Sequence, residues 1–190
     1  MLFEKKAEPI KEKGEVVGVE LGFRKLAVLS DGQIVGKELK AEIKRFYGRK
    51  KGHLIIKEFI NRESKKIDFS NIKTLVVEKL RNVKKNKRGL FTHHTNRLLS
   101  HRAYRHARFR LEMLCEENRV QIVEINPKGT SKACNRCGRR GIRRDERFVC
   151  RTCGRKVDAD YNAACNIRDL RNPQGAYGPL LEAALNIPYG

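Results

Sequence analysis

Two Cys-x-x-Cys pairs, Cys134/Cys137 and Cys150/Cys153, set the tightest limit on what this 190-residue chain can fold into. Each pair is followed by a glycine, Gly138 and Gly154, which lets the backbone turn sharply and aim its amides at sulfur. Four thiolates at this spacing suit a tetrahedral Zn²⁺. The competing arrangement is two disulfides, which a reducing cytosol disfavours. A stretch this short cannot bury a core, so a bound metal would supply its folding energy. Arg139, Arg140, Arg143, Arg144 and Arg147 lie between the pairs, with Arg151, Arg155 and Lys156 just beyond. An ordinary solvated surface accounts for the charge. A grip on phosphate accounts for its being arginine, whose planar fork matches phosphate better than an ammonium does.

The rest of the chain is basic as well. Lys and Arg number 43 against 22 Asp and Glu, a net charge of +21. Charge of this sign and size calls for a polyanion, nucleic acid above all. An anionic membrane is the weaker candidate, because no long apolar run and no clear basic amphipathic anchor is present. The opening MLFEKKAEPIKEKGE lacks the apolar centre of a signal peptide, which points to a cytoplasmic protein.

Read in order, residues 1–14 form a lead-in without periodicity. Glu15–Leu21 alternates as a strand, with Val17, Val19 and Leu21 on one face and Gly18, Glu20 and Gly22 on the other. The glycines beside Glu20 are expected to leave room for a metal or a sugar-phosphate backbone; the plainer reading is an exposed carboxylate on a sheet edge. Arg24–Ser30 is a second strand, Asp31-Gly32 a hairpin turn and Gln33–Val35 a short third strand. Between Lys37 and Lys66 a helical stripe of Leu39, Ile43 and Phe46/Tyr47 is broken at Gly48 and Gly52, then resumes at Leu54/Ile55, Phe59 and Ile60. Lys73–Leu80 reads as a central strand buried on both faces, with Glu78 at its carboxyl end, where ligand sites of open α/β sheets collect. The basic loop after it carries Lys84, Lys85, Lys87 and Arg88, candidates for gripping a nucleic-acid strand.

A long amphipathic helix is expected over Thr95–Asn118, with Leu99, Ala103, Ala107, Leu111 and Leu114 inward and Arg105, Arg108 and Arg110 mostly on other faces. None of His93, His94, His101 and His106 has a carboxylate or thiol partner at a matching turn, so none reads as a metal ligand. Cys115 and Cys165 read as packing residues. Arg119–Ile125 is the last strand. A helix over Asp158–Arg171 buries Ala163, Ile167 and Leu170; Asp160 falls on that inward stripe, and Asp158 on the opposite polar side with Asn162 and Asn166. Helix capping is the plainer role for both aspartates.

Three strands, a helical segment, a strand, a helix, a strand, an insert and a helix make the RNase H-like order: α/β, a mixed sheet flanked by helices. In that arrangement the first and fourth strands are neighbours and the last helix packs on the sheet, so Glu20, Glu78 and Asp160 would converge. Three carboxylates in a basic groove repel one another unless divalent metal joins them. Oxygen ligands suit Mg²⁺ or Mn²⁺, whereas the thiolates suit Zn²⁺, so two separate metal sites are expected.

At this point VGVELGFRKLAVLSDG, VVEKL and TSKACNRCG…FVCRTCG…DADYNAACNI resemble the three RuvC motifs and zinc ribbon of the TnpB family, RNA-guided, transposon-associated endonucleases related to type V CRISPR effectors. The resemblance runs from about Glu15 to Arg171. It implies a metal-dependent DNA endonuclease, transposon- or phage-associated, that has DNA and guide RNA as partners, with Glu20, Glu78 and Asp160 in the catalytic positions, Asp158 as second choice for the third, and structural zinc on Cys134, Cys137, Cys150 and Cys153. It divides the chain into a lead-in (1–14), the first part of a RuvC-like domain (15–126), a zinc ribbon insert (127–157), the final RuvC helix (158–171) and a tail (172–190). Two departures stand out: the family's first catalytic position is aspartate where this chain has Glu20, and the family's long N-terminal half is not matched, so the chain reads as a short form. The alternative reading is a catalytically impaired nucleic-acid-binding remnant or regulator, or a subunit needing a partner for guide RNA.

Overall fold

The computed structural model describes residues 9–46, 49–79, 102–126 and 129–171. Most of the lead-in, the basic loop with Lys84, Lys85, Lys87 and Arg88, the first turns expected of the long helix with His93, His94 and His101, and the tail after Arg171 lie outside the described residues.

Strands β1 (Glu15–Leu21), β2 (Ala27–Leu29) and β3 (Ile34–Val35) form an antiparallel meander. The second strand is shorter than Arg24–Ser30, because residues 22–26 make the bend into it. Strands β4 (Ile72–Glu78) and β5 (Gln121–Ile125) then join on the other side of β1, both parallel to it, giving the order β3-β2-β1-β4-β5. This mixed sheet flanked by helices is the RNase H-like arrangement. Within β4, Thr74, Leu75, Val76 and Val77 are all buried, as a strand covered on both faces requires.

On one face, Val17, Val19, Leu75 and Val77 pack against Leu111, Leu114 and Cys115 of α3 (Arg102–Glu117). A second apolar cluster joins α3 to α1 (Leu39–Phe46) and α2 (Gly52–Ser64) through Ala103, Ala107, Leu39, Ile43, Ile56, Phe59 and Ile60. The stripe of α2 therefore resumes at Ile56 rather than at Leu54/Ile55. Ile56 lies three and four residues before Phe59 and Ile60, hence on their face, while Leu54 is left 51% exposed. Arg108 also departs from expectation. It is buried, donating from Nε to Glu112 at 2.9 Å and from Nη2 to Glu124 at 2.8 Å. It ties α3 to β5 from inside the interface instead of lying on an outer face.

The other face is covered by α4 (Ala159–Arg171). Here the expectation for Gly18 needs correcting. A Cβ at Gly18 would stand 2.1 Å from the Ala164 carbonyl oxygen and 2.5 Å from the Arg168 nitrogen. The space cleared on β1 is filled by the backbone of α4, not left for a ligand. Between β5 and α4 lies a small antiparallel sheet of β6 (Ile142–Arg144), β7 (Arg147–Val149) and β8 (Lys156–Asp158). It has more of a core than its length suggests: Phe148 is fully buried among Cys134, Cys150 and Ala159, with Val157 packed alongside. Cys115 and Cys165 are buried packing residues, as expected.

Candidate functional site

The parallel register pairs Val19 with Val77. Glu20 and Glu78 follow these residues directly, so they lie side by side at the carboxyl ends of β1 and β4. Both belong to the face of Gly18 and Val76, which α4 covers. Asp160 is in the first turn of α4, one helical turn before Ala164, the residue seated on Gly18. One turn advances about 5.4 Å and two strand residues about 6.6 Å, which brings Asp160 to the end of the sheet where Glu20 stands.

The three acids have different partners. Glu78 Oε1 accepts a 2.7 Å hydrogen bond from the Thr130 hydroxyl. Glu20 and Glu78 both lie near the half-buried Tyr104 of α3; burial first, then these two negative charges, hold its phenol well above the ordinary tyrosine value. Phe23, in the bend after β1, packs its ring 6.3 Å from that of Tyr104 at a tilt of 50°. Asp160 is held by cations: Arg143 Nη2 at 2.6 Å and Lys25 Nζ at 3.8 Å. Among the described residues, the one set of three or more potential ligand atoms within 4.8 Å of one another is the cysteine set. Glu20, Glu78 and Asp160 therefore share one end of the sheet without being gathered to ligating distance.

Asp158 takes the capping role. Its Oδ1 accepts the backbone N–H groups of Asp160 and Tyr161, each at 3.0 Å, which satisfies two of the donors that open α4. Its Oδ2 pairs with Lys25. Asn162 and Asn166, expected beside it on a polar outer side, are fully buried. Asn162 donates to the Ala133 carbonyl at 2.7 Å and accepts from the Asn135 amide at 2.9 Å; Asn166 donates to the carbonyls of Thr130 and Ala133 at 2.7 and 2.8 Å. A second interface, onto the first cysteine knuckle, thus occupies the polar side of the helix.

At that knuckle the four sulfurs lie within 4.8 Å of one another. The Cys134–Cys153 and Cys137–Cys150 separations are 3.7 and 3.6 Å. A disulfide needs about 2.05 Å, so the paired-disulfide arrangement does not form. A tetrahedron with bonds of about 2.3 Å, the zinc–thiolate length, has edges of about 3.8 Å, close to what these sulfurs present. Gly138 and Gly154 take φ of 69° and 73°, the left-handed turns expected at the knuckle ends. Burial works against a Cys150 thiolate, but the amides of Cys153 and Thr152 and the Cys137 thiol outweigh it and bring its pKa down to about 7. His106 hydrogen-bonds Asn61 at 2.8 Å and is absent from any ligand cluster among the described residues.

Comparisons with known proteins bear on the fold that carries these residues. The family model for the Cas12f1-like TNB domain matches residues 104–167. A CRISPR-associated endodeoxyribonuclease Cas12f1 of Sulfoacidibacillus thermotolerans is 44% identical over 55 residues, covering 27% of this chain and 13% of the relative. A second Cas12f1, of an uncultured archaeon, is 28% identical over 107 residues, covering 52% of this chain and 20% of that protein. Among solved structures, a Cas12f1–sgRNA–target DNA complex superposes with a TM-score of 0.58 at 22% identity, over 90% of this chain and 52% of that one. Over residues 104–167 the chain is similar to the Cas12f1-like TNB domain. It spans about half the length of the Cas12f1 it superposes on.

The ribbon arginines Arg139, Arg140, Arg143 and Arg144 are exposed, and Arg143 alone is shown reaching a carboxylate of the candidate site. Three neighbours of that site carried no sequence signal: Lys25, Tyr104 and Thr130. Burial weakens the Lys25 ammonium, but Asp158, Asp160 and Glu146 outweigh it and raise its pKa. In sequence Lys25 is one lysine among many, and only its position in the bend after β1 sets it apart. Among the described residues no helix is long and apolar enough to cross a membrane.

Proposed function

We propose that the chain is the nuclease portion of a TnpB/Cas12-type DNA endonuclease that works with guide RNA, with Glu20, Glu78 and Asp160 as its divalent-metal ligands and Cys134, Cys137, Cys150 and Cys153 holding structural zinc. The observation that carries this reading is the placement of Glu20 beside Glu78 at the ends of adjacent parallel strands, with Asp160 on the helix that crosses the same end. The donor set suits Mg²⁺ or Mn²⁺, which take carboxylate oxygens; here Arg143 and Lys25 supply the positive charge that Asp160 requires. When bound, such metal would activate water and stabilise the leaving oxygen of a phosphodiester. The side chains do the remaining work. Arg143 and Lys25, freed from Asp160, are placed to hold phosphate oxygens. Tyr104 and Phe23 wall the acids from the α3 side, and the exposed ribbon arginines add positive charge along the strand's path.

The test is cleavage of single-stranded and duplex DNA by the purified chain in Mg²⁺ or Mn²⁺. Asp160→Ala should abolish it; equal residual cleavage by variant and parent would assign the activity to contamination. Glu20→Asp belongs in the same experiment. The glutamate carboxylate reaches about 1–1.5 Å further than an aspartate's, and β1 cannot shift back to compensate, because Gly18 already touches the backbone of α4. Since about 1 Å of misplacement costs roughly a hundredfold, Glu20→Asp should raise the rate by up to that factor. A rate no higher than the parent's would show that glutamate is the better ligand here.

A second reading, nucleic-acid binding without cleavage, is favoured by the 2.6 Å pairing of Asp160 with Arg143, which satisfies the carboxylate without metal. Salt-dependent DNA binding with no cleavage in either metal would establish it.

A further inference from the structure

Thr130 stands in the turn that leads from β5 into the first cysteine knuckle, and it is 3% exposed. Its hydroxyl and its carbonyl are engaged in different directions. The hydroxyl donates to Glu78 Oε1 at 2.7 Å. The carbonyl accepts from Asn166 Nδ2 at 2.7 Å, and the same Nδ2 donates to the carbonyl of Ala133 at 2.8 Å, next to Cys134. Asn166 is fully buried in α4. The turn is therefore clamped between the helix that carries Asp160 and the knuckle that carries Cys134, and from this position it holds one oxygen of Glu78.

We infer that Thr130 is a positioning residue for Glu78: its hydroxyl fixes the carboxylate rotamer from Oε1, so that the remaining lone pairs face a metal, and the cysteine knuckle sets where that hydroxyl stands. The inference rests on the reading of Glu78 as a metal ligand. A carboxylate on a strand end swings about its side-chain torsions unless something holds it, and a hydrogen bond that orients a ligand typically changes metal affinity by about 10–100-fold when removed. Thr130 suits the task because its backbone is anchored by Asn166 rather than by solvent, so little ordering remains to be done when metal arrives. The arrangement also couples the two metal sites. Disordering the knuckle releases Ala133, hence Asn166 and the Thr130 turn, and Glu78 loses its hydroxyl partner without any change in β4.

The experiment measures Mn²⁺ binding to the full chain by calorimetry, with the Mn²⁺-induced rise in melting temperature of each variant as a second readout. Because that rise compares each variant with itself, a lower starting stability does not obscure it. Thr130→Val keeps the branched shape and removes the donor; it should bind Mn²⁺ about 10–100-fold more weakly. Thr130→Ser restores the donor and should bind within about threefold of the parent, a recovery that a purely structural role for the methyl group would not give. Glu78→Ala should lose binding. If Thr130→Val binds like the parent while Glu78→Ala does not bind, the inference is overturned and the ligand reading stands. Thr130→Ser as weak as Thr130→Val also overturns it, since the hydroxyl would then not be the cause. If Glu78→Ala binds Mn²⁺ undiminished, Glu78 is not a ligand, and the reading of the site falls together with the inference.

Discussion

In β4, Thr74, Leu75, Val76 and Val77 are all buried, whereas every residue of β6 is exposed and Phe148 is the one fully buried residue of β7. The large sheet is organised by apolar surface: side chains from β1, β4 and α3 meet in one cluster and α4 closes the opposite face. The ribbon has one aromatic ring and four sulfurs to organise it. The sheet could lose a contact and keep its shape. Without the sulfur cluster, the ribbon keeps little beyond Phe148. The difference matters for function because the ribbon delivers Arg143 to Asp160 and, through Asn166 and the Thr130 turn, reaches Glu78. The less self-sufficient region thus controls groups on two of the three candidate acids.

The largest effect that separates the two regions should follow loss of the cysteine metal. Structural zinc in ribbons of this size is worth on the order of 10–16 kcal/mol of apparent binding energy. Cys150→Ser, or chelation, should therefore unfold residues of the ribbon while the five-stranded sheet keeps its own melting transition, read by hydrogen exchange on β6–β8 against β1 and β4. One shared transition lost at once would break the comparison. Metal analysis of the parent should find one zinc per chain.

Gly18→Ala probes the sheet instead. The added methyl meets two backbone atoms of α4 rather than a flexible side chain, so the helix must lift. Overpacking of this kind costs about 1–3 kcal/mol, occasionally more. The expected result is a lower urea midpoint with zinc content unchanged. Loss of zinc from Gly18→Ala would mean that the ribbon depends on the seat of α4 as much as on its thiolates.

The smallest effect lies at the junction, where Asp158 ends β8 and caps α4. Asp158→Ala should cost about 1 kcal/mol, a fall in melting temperature of about 2–4 °C for a chain of this size. Burial alone would raise the Asp158 pKa, but Lys25 and the amides of Tyr161 and Asp160 outweigh it and hold it below the ordinary 3.8. A group depressed in the folded state stabilises fully above its unfolded value and ceases to as pH falls through the folded one. The parent should therefore lose part of its stability advantage over Asp158→Ala below about pH 4, and the two melting curves should converge in acid. Parallel curves down to pH 2 would remove Asp158 from the list of groups that join ribbon to sheet.

Much of this was legible from residue order alone. Alternation locates β1 at Glu15–Leu21, a run of apolar residues locates β4 with Glu78 at its end, and the glycine-closed cysteine pairs locate the knuckles. These signals are local: a strand shows in its own period and a metal knuckle in its own spacing. Gly18 is ambiguous in sequence because a glycine on a strand says that something comes close without saying what; here it is a helix more than 140 positions away. Asn162 and Asn166 read only as a polar side of the helix, because polarity alone cannot distinguish a wet face from a buried one whose hydrogen bonds are met by another segment's carbonyls. The α2 stripe begins at Ile56 rather than at Leu54/Ile55 for a simpler reason: only Ile56 lies three and four residues before Phe59 and Ile60, on the face that is buried.

By itself the sequence marked the main strands and helices of the large sheet, the spacing of the four cysteines and three candidate acids, all properties of spacing and side-chain chemistry along the chain. Only the tertiary structure decided what those acids touch. Parallel pairing of β1 with β4 put Glu20 beside Glu78, packing of α4 over Gly18 carried Asp160 to the same end, and docking of the ribbon set Arg143 on Asp160 and Thr130 on Glu78. Contacts of this kind join residues far apart in the chain, and their partners are chosen by the shape and unmet hydrogen bonds of surfaces that exist only once the elements have packed.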